Sequence, residues 1–153
     1  MSEVKTPVAA GGCQCGRVRY ALYVRPENSH VCHCRMCQRA TGGLFAALAG
    51  APKSEFSWTS GEPAFFASSN LAKRGYCRDC GTPLSFAYEA PEARFYVTTG
   101  SLDEPNAAPI VKQYGVESRL DWVKFCEDVP GERTGEDPKA AALFAKMQNH
   151  QST

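Results

Sequence analysis

No stretch of this 153-residue chain approaches the run of roughly 18 apolar residues that a membrane helix requires, so a membrane span is not expected. The opening MSEVKTPVAAGG places an acidic residue early and has no apolar core, so a secretory leader is not expected either. An excess of charge of one sign is also missing, because 17 Lys and Arg face 16 Asp and Glu for a formal net charge of +1. Nucleic acid and anionic membranes both select a basic surface, so neither is an expected partner. Histidine is scarce, at three residues. There is no Ser–His–Asp pattern, no phosphate-binding loop, no internal repeat, no low-complexity segment and no linker that would split the chain.

What the chain does have is cysteine, eight in all. Without a leader, that number points to thiolate metal ligands in a reducing cytoplasm, not to a disulfide framework. If seven of them bind two zinc ions, the thiolates subtract seven charges from the formal +1 and the ions restore four, leaving −2. The metallated protein is then slightly acidic, which again disfavours nucleic acid.

The first part of the chain reads as strands. Arg17 to Val24 places Val18, Tyr20, Leu22 and Val24 on one face at period two. Leu44 to Ala49, Pro63 to Ala67, Leu84 to Tyr88 and Arg94 to Thr99 are further short apolar or aromatic runs, each bounded by Gly, Pro, Ser or Asn on at least one side, and Ile110 to Val116 is a weaker one. One segment reads as a helix: Asp137 can cap it, Pro138 suits its first turn, and Ala140, Leu143, Phe144 and Met147 follow helical spacing, with their apolar stripe expected to pack on the body of the domain. Short strands with cysteine-rich turns predict a mostly β domain pinned by metal, with a short C-terminal helix.

The cysteines fall into groups: Cys13 and Cys15 in GGCQCG, then Cys32, Cys34 and Cys37 in CHCRMC, then Cys77 and Cys80 in YCRDCG, with Cys126 alone. In an extended segment, residues two apart point to the same side, so Cys13 and Cys15 can grip one ion, and Gly12 and Gly16 permit a tight approach of the backbone. Cys77 and Cys80, followed by Gly81, have the spacing of a metal knuckle, in which the glycine allows a positive φ. Two such pairs make a closed four-cysteine site. A rival partition joins Cys34 and Cys37 to Cys77 and Cys80, as in a zinc ribbon, and strands Cys13, Cys15 and Cys32.

Three thiolates remain in CHCRMC, and a closed tetrahedral site wants four. His33 lies between two of them, and in an extended backbone its ring points away from the sulfurs. His30 follows an Asn-Ser turn and reads as exposed. Cys126, in the aromatic surround Trp122-Val123-Lys124-Phe125, reads as a small buried hydrophobe more readily than as a ligand. A three-cysteine site with an exchangeable fourth position is the leading arrangement.

With these groups in hand, GGCQCGRVRY, CHCRMCQRATGG, SSNLAKRGYCRDCGTPL, TTGSLDEP and the pair Asp121-Trp122 resemble the glutathione-dependent formaldehyde-activating family, which also includes centromere protein V. The likeness runs from about Gly11 to Pro130. It implies coiled antiparallel β-sheets around a structural zinc held by Cys13, Cys15, Cys77 and Cys80, and a second, catalytic zinc held by Cys32, Cys34 and Cys37. It divides the chain into a flexible N-terminus over 1–10, the zinc-binding domain over 11–130, and an extension with the helix over 131–153. The family glycine common after the paired serines is Asn70 here, a residue that can still take left-handed geometry.

The implied activity is addition of the glutathione thiol to formaldehyde, giving S-hydroxymethylglutathione; its reverse is a carbon–sulfur lyase reaction. A free thiol is mostly protonated at neutral pH, whereas a zinc-bound thiol is deprotonated, and an open zinc position can also polarise an aldehyde oxygen. Three thiolates leave zinc with a net charge of −1, which weakens it as a Lewis acid; exchange of Cys34 for the substrate thiol is one way round this. Glutathione carries two carboxylates, for which Arg35, Arg39, Lys73 and Arg74 are candidate partners and Ser68 and Ser69 candidate hydrogen-bond donors. Two other readings stand beside the enzyme: a non-catalytic zinc-binding interaction module, for which the chain lacks a basic extension, and a zinc or thiol-redox sensor built on Cys32, Cys34 and Cys37.

Overall fold

The computed structural model describes residues 4–124, 130, 133, 135–146 and 148. The chain is mostly β, and two sheets account for its strands. The smaller sheet contains β1 (Ala9–Gly12), β2 (Arg19–Leu22) and β5 (Phe56–Ser60), all antiparallel, in the order β1-β2-β5.

The larger sheet contains β3 (Glu27–Cys32), β4 (Ala46–Ala51), β6 (Ala64–Ala67), β7 (Ala72–Tyr76), β8 (Pro83–Tyr88), β9 (Phe95–Thr98) and β10 (Lys112–Tyr114). Their order is β10-β3-β4-β9-β8-β7-β6. Every neighbour pair is antiparallel, as the family likeness implies, except β10 and β3 at the sheet's edge, which run parallel. The parallel pair follows from the long return over residues 99–111, which brings β10 back to the outer edge of β3 in the same direction.

Alternation along the strands gives the larger sheet two faces. One face turns Ala49, Ala51 and Val97 onto the smaller sheet, where they join Tyr20, Leu22, Leu84 and Leu102 in the main core. Aromatic rings fill the gap between the sheets: Phe56 stacks on Phe95 with ring centroids 3.9 Å apart, and Trp58 meets Phe56 edge-on at 4.9 Å. Tyr20, fully buried, exchanges a 2.8 Å hydrogen bond with Ser101 Oγ, and a Cβ on Gly11 would strike the Tyr20 hydroxyl. The other face carries His30, Cys32, Leu48, Arg74, Phe86 and Tyr96, and is the floor of the site described below.

Two α-helices and four short 3-10 turns complete the described chain. Helix α1 (Arg35–Thr41) was not legible from apolar periodicity, because seven residues give too short a pattern. It ends on Gly42 at φ 67°, the left-handed cap that glycine favours. Helix α2 (Pro138–Phe144) starts as expected, with Asp137 accepting from the Lys139 N–H at 3.0 Å and Pro138 in the first turn. Its Leu143 is 65 % exposed, however, so this member of the apolar stripe does not pack on the domain body. Met147 and Cys126 lie outside the described residues. Asn70 does not take the left-handed geometry open to it: among the described non-glycine residues only Asn28 has positive φ, at 49°, where the β3–β4 register shifts.

Candidate metal centres

Two groups of cysteines converge, and each could hold a metal ion. In both groups the sulfur atoms all lie within 4.8 Å of one another.

The first group is Cys13, Cys15, Cys77 and Cys80, brought together by two hairpin turns from different sheets. Cys13 follows β1, and the β1–β2 turn closes with Gly16 N donating to Cys13 O at 3.0 Å and Cys13 N to Val18 O at 3.0 Å. The Cys13–Gln14–Cys15 step is therefore a turn, not the extended segment that two-apart spacing implies; Gly16 at φ 79° lets the chain double back and still aim both sulfurs inward. Cys77 and Cys80 sit in the β7–β8 turn, closed by Gly81 N to Cys77 O at 2.9 Å and Cys77 N to Thr82 O at 3.0 Å, with Gly81 at φ 76°.

The Sγ atoms of Cys13 and Cys15 are 3.5 Å apart, and those of Cys15 and Cys77 are 3.8 Å apart. Gln14 N donates to Thr82 Oγ1 at 3.0 Å, a second link between the turns. Burial opposes ionisation of Cys80, but hydrogen bonds from the Thr82 side chain and backbone outweigh it and bring the thiol down to about 6. Cys15 goes the other way: although the Arg17 N–H favours its thiolate, burial and the neighbouring sulfurs push it up to about 12. Thiols this close cannot all ionise without a cation among them.

The second group is Cys32, Cys34 and Cys37. Cys32 ends β3, Cys34 is the N-cap of α1 with its Sγ 3.4 Å from the Cys37 N–H, and Cys37 lies in the first turn. A cysteine in place of the usual Ser, Thr, Asp or Asn cap hid this helix start in the sequence. Burial pushes the Cys32 thiol up to about 12 and raises Cys37; at Cys34 burial is outweighed by the Cys37 and Met36 N–H groups, and its thiol is lowered. Gly115, at φ 62°, crosses so close that a Cβ there would lie 2.9 Å from Cys34 N.

No histidine completes this group among the described residues. His33 is fully buried and faces away, its Nε2 2.9 Å from Gln113 Oε1 and its ring edge-on to Phe45 at 5.6 Å. His30 is 6 % exposed, not the open turn residue that its Asn-Ser neighbours indicate, because β10 covers it and Tyr96 and Tyr114 pack edge-on against its ring at 5.1 and 4.8 Å. Burial lowers its pKa.

Cross-strand register builds a chamber of about 380 Å³ in front of the three sulfurs. Tyr114 is paired with Cys32, His30 with Leu48, and Arg74, Phe86 and Tyr96 lie in one row across β7, β8 and β9. That row sets the Arg74 guanidinium 4.7 Å from the Phe86 ring centroid. Arg74 also donates from Nε to Ser68 Oγ at 3.0 Å and from Nη2 to Cys37 Sγ at 3.4 Å.

The other cations singled out in the sequence are placed differently. Arg35 bonds Gln38 Oε1, Lys73 lies over Phe65 at 5.1 Å, and Arg39 is exposed outside the chamber. Ser69 Oγ accepts from Leu71 N at 3.1 Å, so it braces the β6–β7 turn. The aromatic wall was missed, although the period-two pair Phe86 and Tyr88 signalled part of it. A larger hollow, about 890 Å³, lies beside Cys13, lined by Thr82, Ser101 and the Arg19–Asp103 pair; of the seven clustered cysteines it meets only Cys13.

A family model described as glutathione-dependent formaldehyde-activating enzyme matches residues 8–117, and the chain belongs to this family. A Schizosaccharomyces pombe protein named as an uncharacterized lyase is 28% identical over 91 residues, 60% of this chain and 66% of that relative, so the match spans just under two thirds of the relative's length. The crystal structure of a Rhodobacter sphaeroides protein superposes with a TM-score of 0.55 at 23% identity, over 68% of this chain and 98% of that one, a likeness of fold.

Proposed function

We propose that the protein is a zinc-dependent carbon–sulfur lyase or synthase acting on adducts of a small thiol with formaldehyde or a formaldehyde-like aldehyde. The observation that carries this reading is the contrast in setting: four sulfurs are gathered between two turns, only Cys13 bordering a polar hollow, whereas all three of the second group line an aromatic-walled chamber large enough for a small molecule. Membership of the family supports it, as does the lyase named in yeast. Glutathione is the thiol that the family's description names.

Both donor sets fit zinc. A tetrahedral ion with Zn–S bonds of about 2.3 Å needs sulfurs about 3.8 Å apart, against 3.5 Å for Cys13 and Cys15 and 3.8 Å for Cys15 and Cys77. Cys13, Cys15, Cys77 and Cys80 would hold a structural ion. Cys32, Cys34 and Cys37 would hold a second, at the wall of the chamber that all three line. When bound there, zinc supplies a deprotonated thiol at neutral pH and polarises a carbonyl oxygen. The family match over residues 8–117 contains both cysteine groups and the chamber, and a reducing cytoplasm suits so many free thiolates.

In the synthetic direction the sulfur–carbon bond forms as the carbonyl π bond opens, and the thiol proton ends on the former carbonyl oxygen; the lyase direction reverses each change. The chain's own residues bind and orient. Arg74 offsets the negative charge of the sulfur group through its bond to Cys37, and Phe86, Tyr96 and Tyr114 exclude water from the reacting pair. Holding a thiol and a small aldehyde together supplies much of the acceleration through proximity.

The test mixes zinc-loaded and metal-stripped protein with thiols and formaldehyde and follows the hydroxymethyl adduct by NMR. The reading predicts a rate above the uncatalysed one for the loaded protein alone. Full zinc loading without any such rate would contradict it.

A further inference from the structure

We infer that the thiol this chamber selects has an apolar, aromatic body carrying a single carboxylate, in preference to glutathione with its two carboxylates and ammonium. The inference rests on the thiol–aldehyde reading above and names the thiol's chemical class. Apart from the cysteines themselves, Arg74 is the only side chain with a fixed charge among the described residues that line the chamber. Its walls are otherwise dominated by Leu48, Phe86, Tyr88, Tyr96 and Tyr114.

Two of the three Arg74 nitrogens are already engaged, Nε by Ser68 and Nη2 by Cys37. Nη1 makes no hydrogen bond among the described residues, so the free N–H groups of this one guanidinium remain for one ligand carboxylate. Because the guanidinium lies against the Phe86 face, a carboxylate bound at Nη1 brings its own carbon skeleton beside that ring. An aromatic ring there meets Phe86, Tyr88 and Tyr96 in the edge-to-face contacts such rings prefer.

Glutathione fits this inventory poorly. Its thiol at the sulfur group leaves two charged arms for a chamber with one cation, and an unpaired carboxylate among aromatic walls loses its hydration without compensation. The three thiolates repel it further. Two further cations lie near the chamber: Lys112, whose Nζ is 4.9 Å from the Tyr114 ring centroid, and Arg39, in an adjoining hollow of about 480 Å³ with Phe66 and Tyr76 that shares Met36, Ser68 and Arg74 with the chamber. Neither lines the chamber itself and both are exposed, so a contact with either is screened by water and salt.

The experiment uses the zinc-loaded full chain and four thiols: 4-(mercaptomethyl)benzoate, benzyl mercaptan, N-acetylcysteine and glutathione. Binding is read by calorimetry and adduct formation with formaldehyde by NMR. The inference expects 4-(mercaptomethyl)benzoate to bind at least about tenfold more tightly than glutathione or N-acetylcysteine, with benzyl mercaptan between them. Arg74→Gln is expected to remove the advantage of the carboxylate over benzyl mercaptan, and Arg39→Ala to leave glutathione binding unchanged.

Glutathione binding as tightly as the aromatic thiol, or weakening about fivefold or more in Arg39→Ala, would overturn the inference by showing that the dianion is the designed ligand. If Arg74→Gln loses metal or unfolds, the wild-type ranking of the four thiols decides alone. Selective binding of the aromatic thiol without adduct formation by any thiol sustains the pocket chemistry and contradicts the proposed reaction, so the two failures are distinguishable.

Discussion

The two cysteine groups use the same donor atom and differ in what surrounds it. Cys13 and Cys77 belong to the main core, with Cys15 and Cys80 packed against it, and the group joins a turn of the smaller sheet to a turn of the larger one. Cys37 belongs to a minor cluster with Ala46 and Leu48 on the far face of the larger sheet, and Cys32 and Cys34 border a chamber. A metal in the first place ties two sheets together, because each hairpin supplies two ligands. A metal in the second closes only a local strand–helix junction. On the proposed reading, stability and chemistry are separated by position in the fold.

That comparison breaks first at the buried end. Cys77 is fully buried, and Cys77→Ser removes a proposed ligand while leaving a buried hydroxyl and three crowded thiols. Structural sites of this kind contribute folding energy outright, so the variant is expected to lose several kcal/mol and the cooperative melt followed by circular dichroism. A melt like that of the wild type would place the structural load elsewhere.

A smaller effect is expected at Gly115, whose left-handed backbone passes beside Cys34. Gly115→Ala should cost about 1–2 kcal/mol from the φ and the close approach. It should weaken metal retention by the second group and leave the first untouched, as read by metal release to a chelator titration.

The smallest effect is at the rim of the first group. Arg19 donates to both oxygens of Asp103, and this hydrogen bonding, outweighing burial, holds the carboxyl below its usual range. A lowered carboxylate pKa stabilises fully above the unfolded value, near about 3.9, and is lost only as the pH falls through the lower folded value. Asp103→Asn should therefore cost less than about 1 kcal/mol for so exposed a pair. The cost should be constant across pH 5–8, checked by urea melts at several pH values; a cost that grows with pH in that range would show another titrating group at work.

The parts of this arrangement legible in the sequence are those with local signals. The groups CxC, CxCxxC and CxxCG survive as sulfur clusters because each is set by a turn within a few residues. The strands around Tyr20, Leu48, Phe66, Phe86 and Val97 have apolar or aromatic runs with breakers at their ends. Strand β3 reads poorly because ENSHVC is polar and bulged at Asn28, and β7, AKRGY, carries two charges and a glycine. What could not be read is pairing between distant strands. Arg74 reaches Cys37 only because β7 lies beside β8 and Ser68 holds its guanidinium, and Tyr114 meets His30 only because β10 returns parallel to β3.

The division of labour is tested most directly by metal stoichiometry in the double variant Cys32→Ala/Cys34→Ala. The account predicts two zinc ions per wild-type chain and one per variant chain, with an unchanged circular dichroism spectrum and no catalysed adduct formation. A variant that keeps both ions, or that unfolds as Cys77→Ser is expected to, would contradict the separation of a structural group from a reacting one.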